Sequence, residues 1–146
     1  MVAVRSAHVN WEGDLRNGKG TVSFHSGALP DVPVTWKARV EESGGMTSPE
    51  ELLAGAHAAC YSMAISSALA KNGTPPQKLK VNADCTFAAV GEGFNVTEMA
   101  LTVTAKVAGL AEARFKEIAK NTAEHGCPIS EALALNVYIS INASLE

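Results

Sequence analysis

From Val32 the chain alternates, with apolar Val32, Val34, Trp36, Ala38 and Val40 separated by polar Thr35, Lys37, Arg39 and Glu41. A period of two is the pattern of a half-buried strand, and it sets Arg39 on the face away from the apolar side chains. Upstream, Ala7 to Trp11 and Thr21 to Phe24 alternate more weakly around Asn17-Gly18 and Gly20, which predicts a β-hairpin.

The period changes at Ser48. Ser48-Pro49-Glu50-Glu51 predicts a helix start, with Ser48 as N-cap, Pro49 in the first helical position and Glu51 closing a capping box. The helix runs through Leu52, Leu53, Ala56, Ala59, Cys60, Met63, Ala64 and Leu69 to a stop at Asn72-Gly73, ahead of Pro75-Pro76. It is apolar on nearly every face, so burial is expected.

Leu79, Val81, Ala83, Cys85 and Phe87 then alternate with polar neighbours, as do Met99, Leu101, Val103, Ala105 and Val107 beyond Gly91-Glu92-Gly93. These segments predict an antiparallel strand pair. A second helix is expected from about Leu110 to His125, with Leu110, Phe115, Ile118 and Thr122 on its apolar stripe and Gly126 as a left-handed stop. Val137, Ile139, Ile141 and Ala143 predict a final strand. Strands and helices in this order imply an α+β fold in a single domain over residues 1–146.

At 146 residues and 47% hydrophobic content the chain can bury a core without disulfides or a structural metal. A formal charge of −3 without a Lys/Arg run argues against nucleic acid and membrane surfaces as partners. Neither a signal-peptide pattern nor an apolar stretch of the roughly 18 residues needed to span a bilayer is expected, and a cytoplasmic location is expected. Three cysteines are then packing residues or chemical groups rather than a disulfide framework.

Cys85 is in phase with its strand's apolar side chains and reads as a packing residue. Cys60 lies within an apolar helix, where burial alone would leave it inert. Cys127, between Gly126 and Pro128 at a helix end, has no periodicity to explain it. Cys60 and Cys127 are therefore candidates for an attacking and a resolving thiol. Such chemistry needs a thiolate and a stabilised O–O bond, for which Arg39 is the candidate because its guanidinium stays charged and presents parallel donors. Glu50 is the carboxylate left to hold that arginine, Glu51 being assigned to the capping box.

The chain resembles the osmotically inducible protein C and organic hydroperoxide resistance (OsmC/Ohr) family. The likeness rests on Trp11-Glu12-Gly13-Asp14, Gly18-Lys19-Gly20-Thr21-Val22-Ser23, Ser48-Pro49-Glu50-Glu51-Leu52-Leu53, His57-Ala58-Ala59-Cys60-Tyr61-Ser62-Met63-Ala64 and Gly126-Cys127-Pro128-Ile129-Ser130. The first of these and His57-Ala58-Ala59-Cys60 place it nearer the OsmC branch. The resemblance implies an intertwined homodimer, with antiparallel sheets around two central helices and active sites at the subunit interface. It also implies an oxidative-stress peroxidase that reduces organic hydroperoxides, and hydrogen peroxide less well, at the expense of a thiol or dithiol reductant and without a cofactor. By the same resemblance Cys60 is the peroxidatic cysteine, Cys127 the resolving one, Arg39 the arginine of the strand before the helix and Glu50 its carboxylate partner; other loop lengths would let Lys37 or Arg16 be misread as that arginine.

Two other readings remain. His57 precedes Cys60 and His125 precedes Cys127, a donor set that zinc accepts, although neither spacing is that of a zinc finger. A non-catalytic binder of small apolar molecules on the same fold is the second.

Overall fold

The computed structural model describes residues 1–146, which divide into two compact units, residues 1–52 and 53–146. In the first, β1 (Ala7–Glu12) and β2 (Lys19–Phe24) form the expected antiparallel hairpin, and β3 (Val32–Val34) adds to the free side of β2. The hairpin turn is organised by Asp14, whose Oδ1 accepts the backbone N–H of Arg16 and Asn17 at 2.8 and 2.9 Å. Close approach explains two of the glycines: a Cβ on Gly20 would come within 2.7 Å of the Trp11 ring, and one on Gly18 would meet the Glu12 carbonyl oxygen at 2.6 Å and the Trp11 ring at 2.9 Å.

The alternation that follows is not a strand beyond Val34. Residues Trp36–Val40 form a short helix, α1, because the Thr35 hydroxyl oxygen accepts the backbone N–H of Ala38 at 3.1 Å and turns the chain. Five residues are too few to display a helical period, so the capping threonine was the only local sign. Arg39 consequently projects from a helix rather than from the polar face of a strand.

α2 (Pro49–Lys71) begins as expected, with the Ser48 hydroxyl accepting the backbone N–H of Glu51 at 3.1 Å. The reciprocal half of the box is absent: the Glu51 carboxylate accepts the Thr47 hydroxyl at 2.6 Å instead. At the other end Gly73, at φ 82°, allows its N–H to reach the Ala70 carbonyl while Thr74 N–H reaches that of Leu69.

In the second unit α2 buries His57, Tyr61, Ile65 and Leu69, one residue per turn. The expectation of burial on all sides is thus met on one stripe alone, and Met63 is 74% exposed. The helix is also longer than the expected absence of an apolar span allows: over 18 residues its mean hydropathy is 1.3, enough by length and composition to cross a bilayer.

β4 (Lys78–Val90) and β5 (Gly93–Lys106) pair antiparallel as predicted, with Cys85 half-buried in phase with Leu79, Val81 and Ala83. α3 (Glu112–His125) and α4 (Pro128–Leu133) follow, and β6 (Tyr138–Leu145) pairs with β5 in parallel. The sheets are therefore not all antiparallel. Two helices between β5 and β6 carry the chain back to the start of the sheet, the crossover that parallel neighbours require. Tyr61, Ile65 and Leu69 from α2, Met99, Leu101, Val103 and Ala105 from β5, and Phe115 and Ala119 from α3 make the core. The result is an α+β fold with two three-stranded sheets and four helices.

Candidate active site

The first unit builds a guanidinium–carboxylate pair. α1 carries Arg39 and the first turn of α2 carries Glu50, whose side chain is almost wholly buried. Arg39 Nε donates to both Glu50 oxygens at 3.1 Å and Nη2 donates to Oε1 at 2.6 Å. Because Thr47 and Ser48 occupy the neighbouring capping positions, Glu50 is the acid of this turn that faces the arginine. The Trp36 ring lies 5.9 Å from the guanidinium carbon, within cation–π range. Arg39 thus has its orientation fixed by a carboxylate fork and flanked by an aromatic ring.

The second unit brings the two candidate thiols together. Cys60 lies half-buried in the middle of α2, and Cys127 is the N-cap of α4, a helix that the sequence pattern did not reveal. The Cys60 sulfur takes the backbone N–H of Ile129 and shares a hydrogen bond with Cys127. Burial pushes the Cys60 thiol above its ordinary pKa, the Ile129 N–H pulls it down, and Cys127 pushes it up again through the hydrogen bond and charge repulsion. Within this unit the balance favours the protonated thiol.

Cys127 departs from expectation in a second way. It is fully buried in the hydrophobic core, so packing does account for its position. Nor is Gly126 a left-handed stop, since its φ is −122°. Glycine is favoured there by proximity: a Cβ would sit 3.3 Å from the Thr122 carbonyl oxygen. The helix therefore ends in tight contact with its own last turn and delivers Cys127 inward.

Around the sulfurs, His57 Nε2 lies 2.7 Å from Ser130 Oγ, both side chains fully buried, and burial lowers the His57 pKa. The Tyr61 hydroxyl donates to the Ala119 carbonyl at 2.8 Å; burial and the neighbouring Cys127 raise its pKa. Ser130 was not singled out from the sequence. The signal was its place in Gly126-Cys127-Pro128-Ile129-Ser130, but nothing there identified a histidine partner.

The zinc reading loses its donor set. His57 is engaged with Ser130, His125 is exposed beside Glu124, and no three His, Cys, Asp or Glu side chains gather as ligands.

A cavity of about 580 Å³ opens beside Cys60, lined also by Met63, Ala64, Ala68, Thr122 and Pro128. Larger cavities of about 700 and 720 Å³ in the same unit contain no cysteine. The thiol-bearing cavity falls in the size range of small-molecule sites and is mainly apolar next to the sulfur.

Fold and site together define a small α+β protein with a paired dithiol. Residues 42–142 match the profile of the family described as OsmC-like protein, a stretch that includes Glu50, Cys60 and Cys127 but not Arg39. Over 137 residues, 94% of each chain, the sequence is 39% identical to the protein named Peroxiredoxin OsmC of Escherichia coli (strain K12). The chain belongs to the OsmC-like family. This relative agrees with the placement nearer the OsmC branch.

Solved structures share the fold. An organic hydroperoxide resistance protein from Elizabethkingia anophelis superposes with a TM-score of 0.75 over all of both chains at 19% identity. An OsmC organic hydroperoxide resistance protein from Legionella pneumophila gives 0.71 over 98% of this chain and 99% of its own, at 22% identity.

Proposed function

We propose that this protein is a cysteine-based peroxidase that reduces organic hydroperoxides. The observation that carries the reading is the contact between Cys60 and Cys127. The Cys60 thiolate attacks the distal peroxide oxygen, an S–O bond forms, the O–O bond breaks, and the alcohol leaves with a proton. Cys127 then attacks the sulfenic sulfur, and the displaced hydroxide leaves as water. One hydroperoxide is reduced for each Cys60–Cys127 disulfide formed, and a thiol or dithiol reductant restores the pair. The apolar wall beside Cys60 suits a hydroperoxide with an organic substituent better than hydrogen peroxide.

Arg39, held by Glu50, supplies the charge that this chemistry requires. Cys60 is raised in pKa by its own surroundings, so a fixed cation is needed to populate the thiolate and to meet the charge developing on the peroxide oxygen.

The working form is a homodimer. Two observations support it. α2 is apolar on faces that its own chain leaves exposed, and residues 1–52 bury few apolar side chains, chiefly Val22 and Ala38. A unit with so little core needs further cover to be stable. Met63→Glu should shift sedimentation equilibrium toward monomer; an unchanged mass would remove α2 from the interface. A cytosolic location fits the need to return the thiols to their reduced state after every cycle.

The test is stopped-flow consumption of cumene hydroperoxide with a dithiol reductant, comparing wild type with Cys60→Ser and Cys127→Ser. Turnover should vanish in Cys60→Ser. Wild-type turnover no faster than that of Cys60→Ser would overturn the reading.

A further inference from the structure

His57 and Ser130 have no part in the chemistry above, yet both are fully buried and meet at 2.7 Å. The other ring nitrogen of His57, Nδ1, is buried with no hydrogen-bond partner. Burying a polar ring with one nitrogen unmet is costly compared with burying an apolar side chain of similar size. Its position supplies a reason for keeping it. His57 lies three residues before Cys60 on α2, and Ser130 lies three after Cys127 on α4, so His57 meets Ser130 in the same sense as Cys60 meets Cys127. The Ile129 N–H that reaches the Cys60 sulfur falls between these two contacts. Three successive contacts therefore join the middle of α2 to the first turn of α4.

We propose that the His57–Ser130 hydrogen bond is a register pin that holds Cys127 opposite Cys60, making both positioning residues for disulfide formation. The inference rests on reading the two cysteines as a redox pair. Forming the bond brings the sulfurs from hydrogen-bonded contact to roughly 2.05 Å, which a sliding α4 would make less favourable. His57 anchors the far side of that turn to the rigid helix that carries Cys60. The pin acts through the position of the Cys127 backbone and not on the reacting atoms.

The test is an equilibrium that needs no hydroperoxide. In a Cys85→Ala background the folded protein is poised in glutathione buffers: the Cys60 and Cys127 thiols plus one oxidised glutathione give the protein disulfide plus two reduced glutathiones. Both electrons and both protons pass to the glutathione. The equilibrium constant is the effective concentration of one thiol at the other. Ser130→Ala should lower it by between about tenfold and a hundredfold, the scale on which small displacements of reacting groups act. Ser130→Thr, which keeps the hydroxyl, should restore it. His57→Leu should match Ser130→Ala, and the double variant should be no worse than either.

Thermal melts show that each variant is folded, and His57→Gln provides a second probe of the same hydrogen bond. A Ser130→Ala constant equal to wild type, a Ser130→Thr constant as low as Ser130→Ala, or additive losses in the double variant would each overturn the pin. Stopped-flow turnover on the same samples reads the peroxidase assignment separately.

Discussion

Arg39 is gripped by Glu50 through both carboxylate oxygens, with its shortest contact at 2.6 Å, and Glu50 is nearly closed off from water. Removing one partner of such a buried pair strips the other of its hydrogen bonds without returning it to water. Arg39→Ala should therefore cost about 2 kcal/mol in urea denaturation, the usual scale for a lost hydrogen bond to a charged group. On the proposed mechanism it should also raise the Cys60 pKa and slow peroxide attack, whereas Arg39→Lys restores charge without the two-pronged geometry. Equal thiol pKa values in wild type, Ala and Lys variants would dismiss the role assigned to Arg39.

Cys127 opposes ionisation of Cys60. In a Cys85→Ala background, Cys127→Ala should lower the Cys60 titration midpoint, followed by thiolate absorbance. A midpoint unchanged or raised would contradict the contact between the sulfurs. Cys127→Ser should still react once with hydroperoxide and then accumulate sulfenic acid, visible in the intact mass after one equivalent.

His57 makes stability depend on pH. Burial holds its pKa below the ordinary 6.5, so under acidic conditions the unfolded chain binds a proton that the folded chain refuses. Its contribution is intact above pH 6.5 and is lost as pH falls from there through the lowered folded value. The melting temperature should drop as the pH falls below about 6.5, and His57→Gln should flatten the acid side of that curve. Parallel curves for the two proteins would show that His57 is not the group responsible.

Much of this molecule is decided locally and was legible as such. Ser48-Pro49 starts α2, Gly73 ends it, and strict alternation sets the register of Leu79 to Cys85 against Met99 to Ala105, because caps and side-chain periods act over a few residues. Where two local signals competed, the pattern misled: the apolar alternation through Trp36 and Ala38 concealed a helix that one Thr35 hydroxyl initiates.

The sequence by itself determined most of the elements, though not α1 or α4, together with the α+β class and the residue types on which a dithiol chemistry can draw. Tertiary structure decided which of them meet. Cys127 had no periodicity to explain its place at a helix end and is a core residue, because α4 folds its N-cap inward against α2. Ser130 became the partner of His57 for the same reason, and the crossover through α3 and α4 made β6 a parallel neighbour of β5. These contacts join residues far apart along the chain, and their geometry follows from how whole helices and strands pack, which no local period encodes.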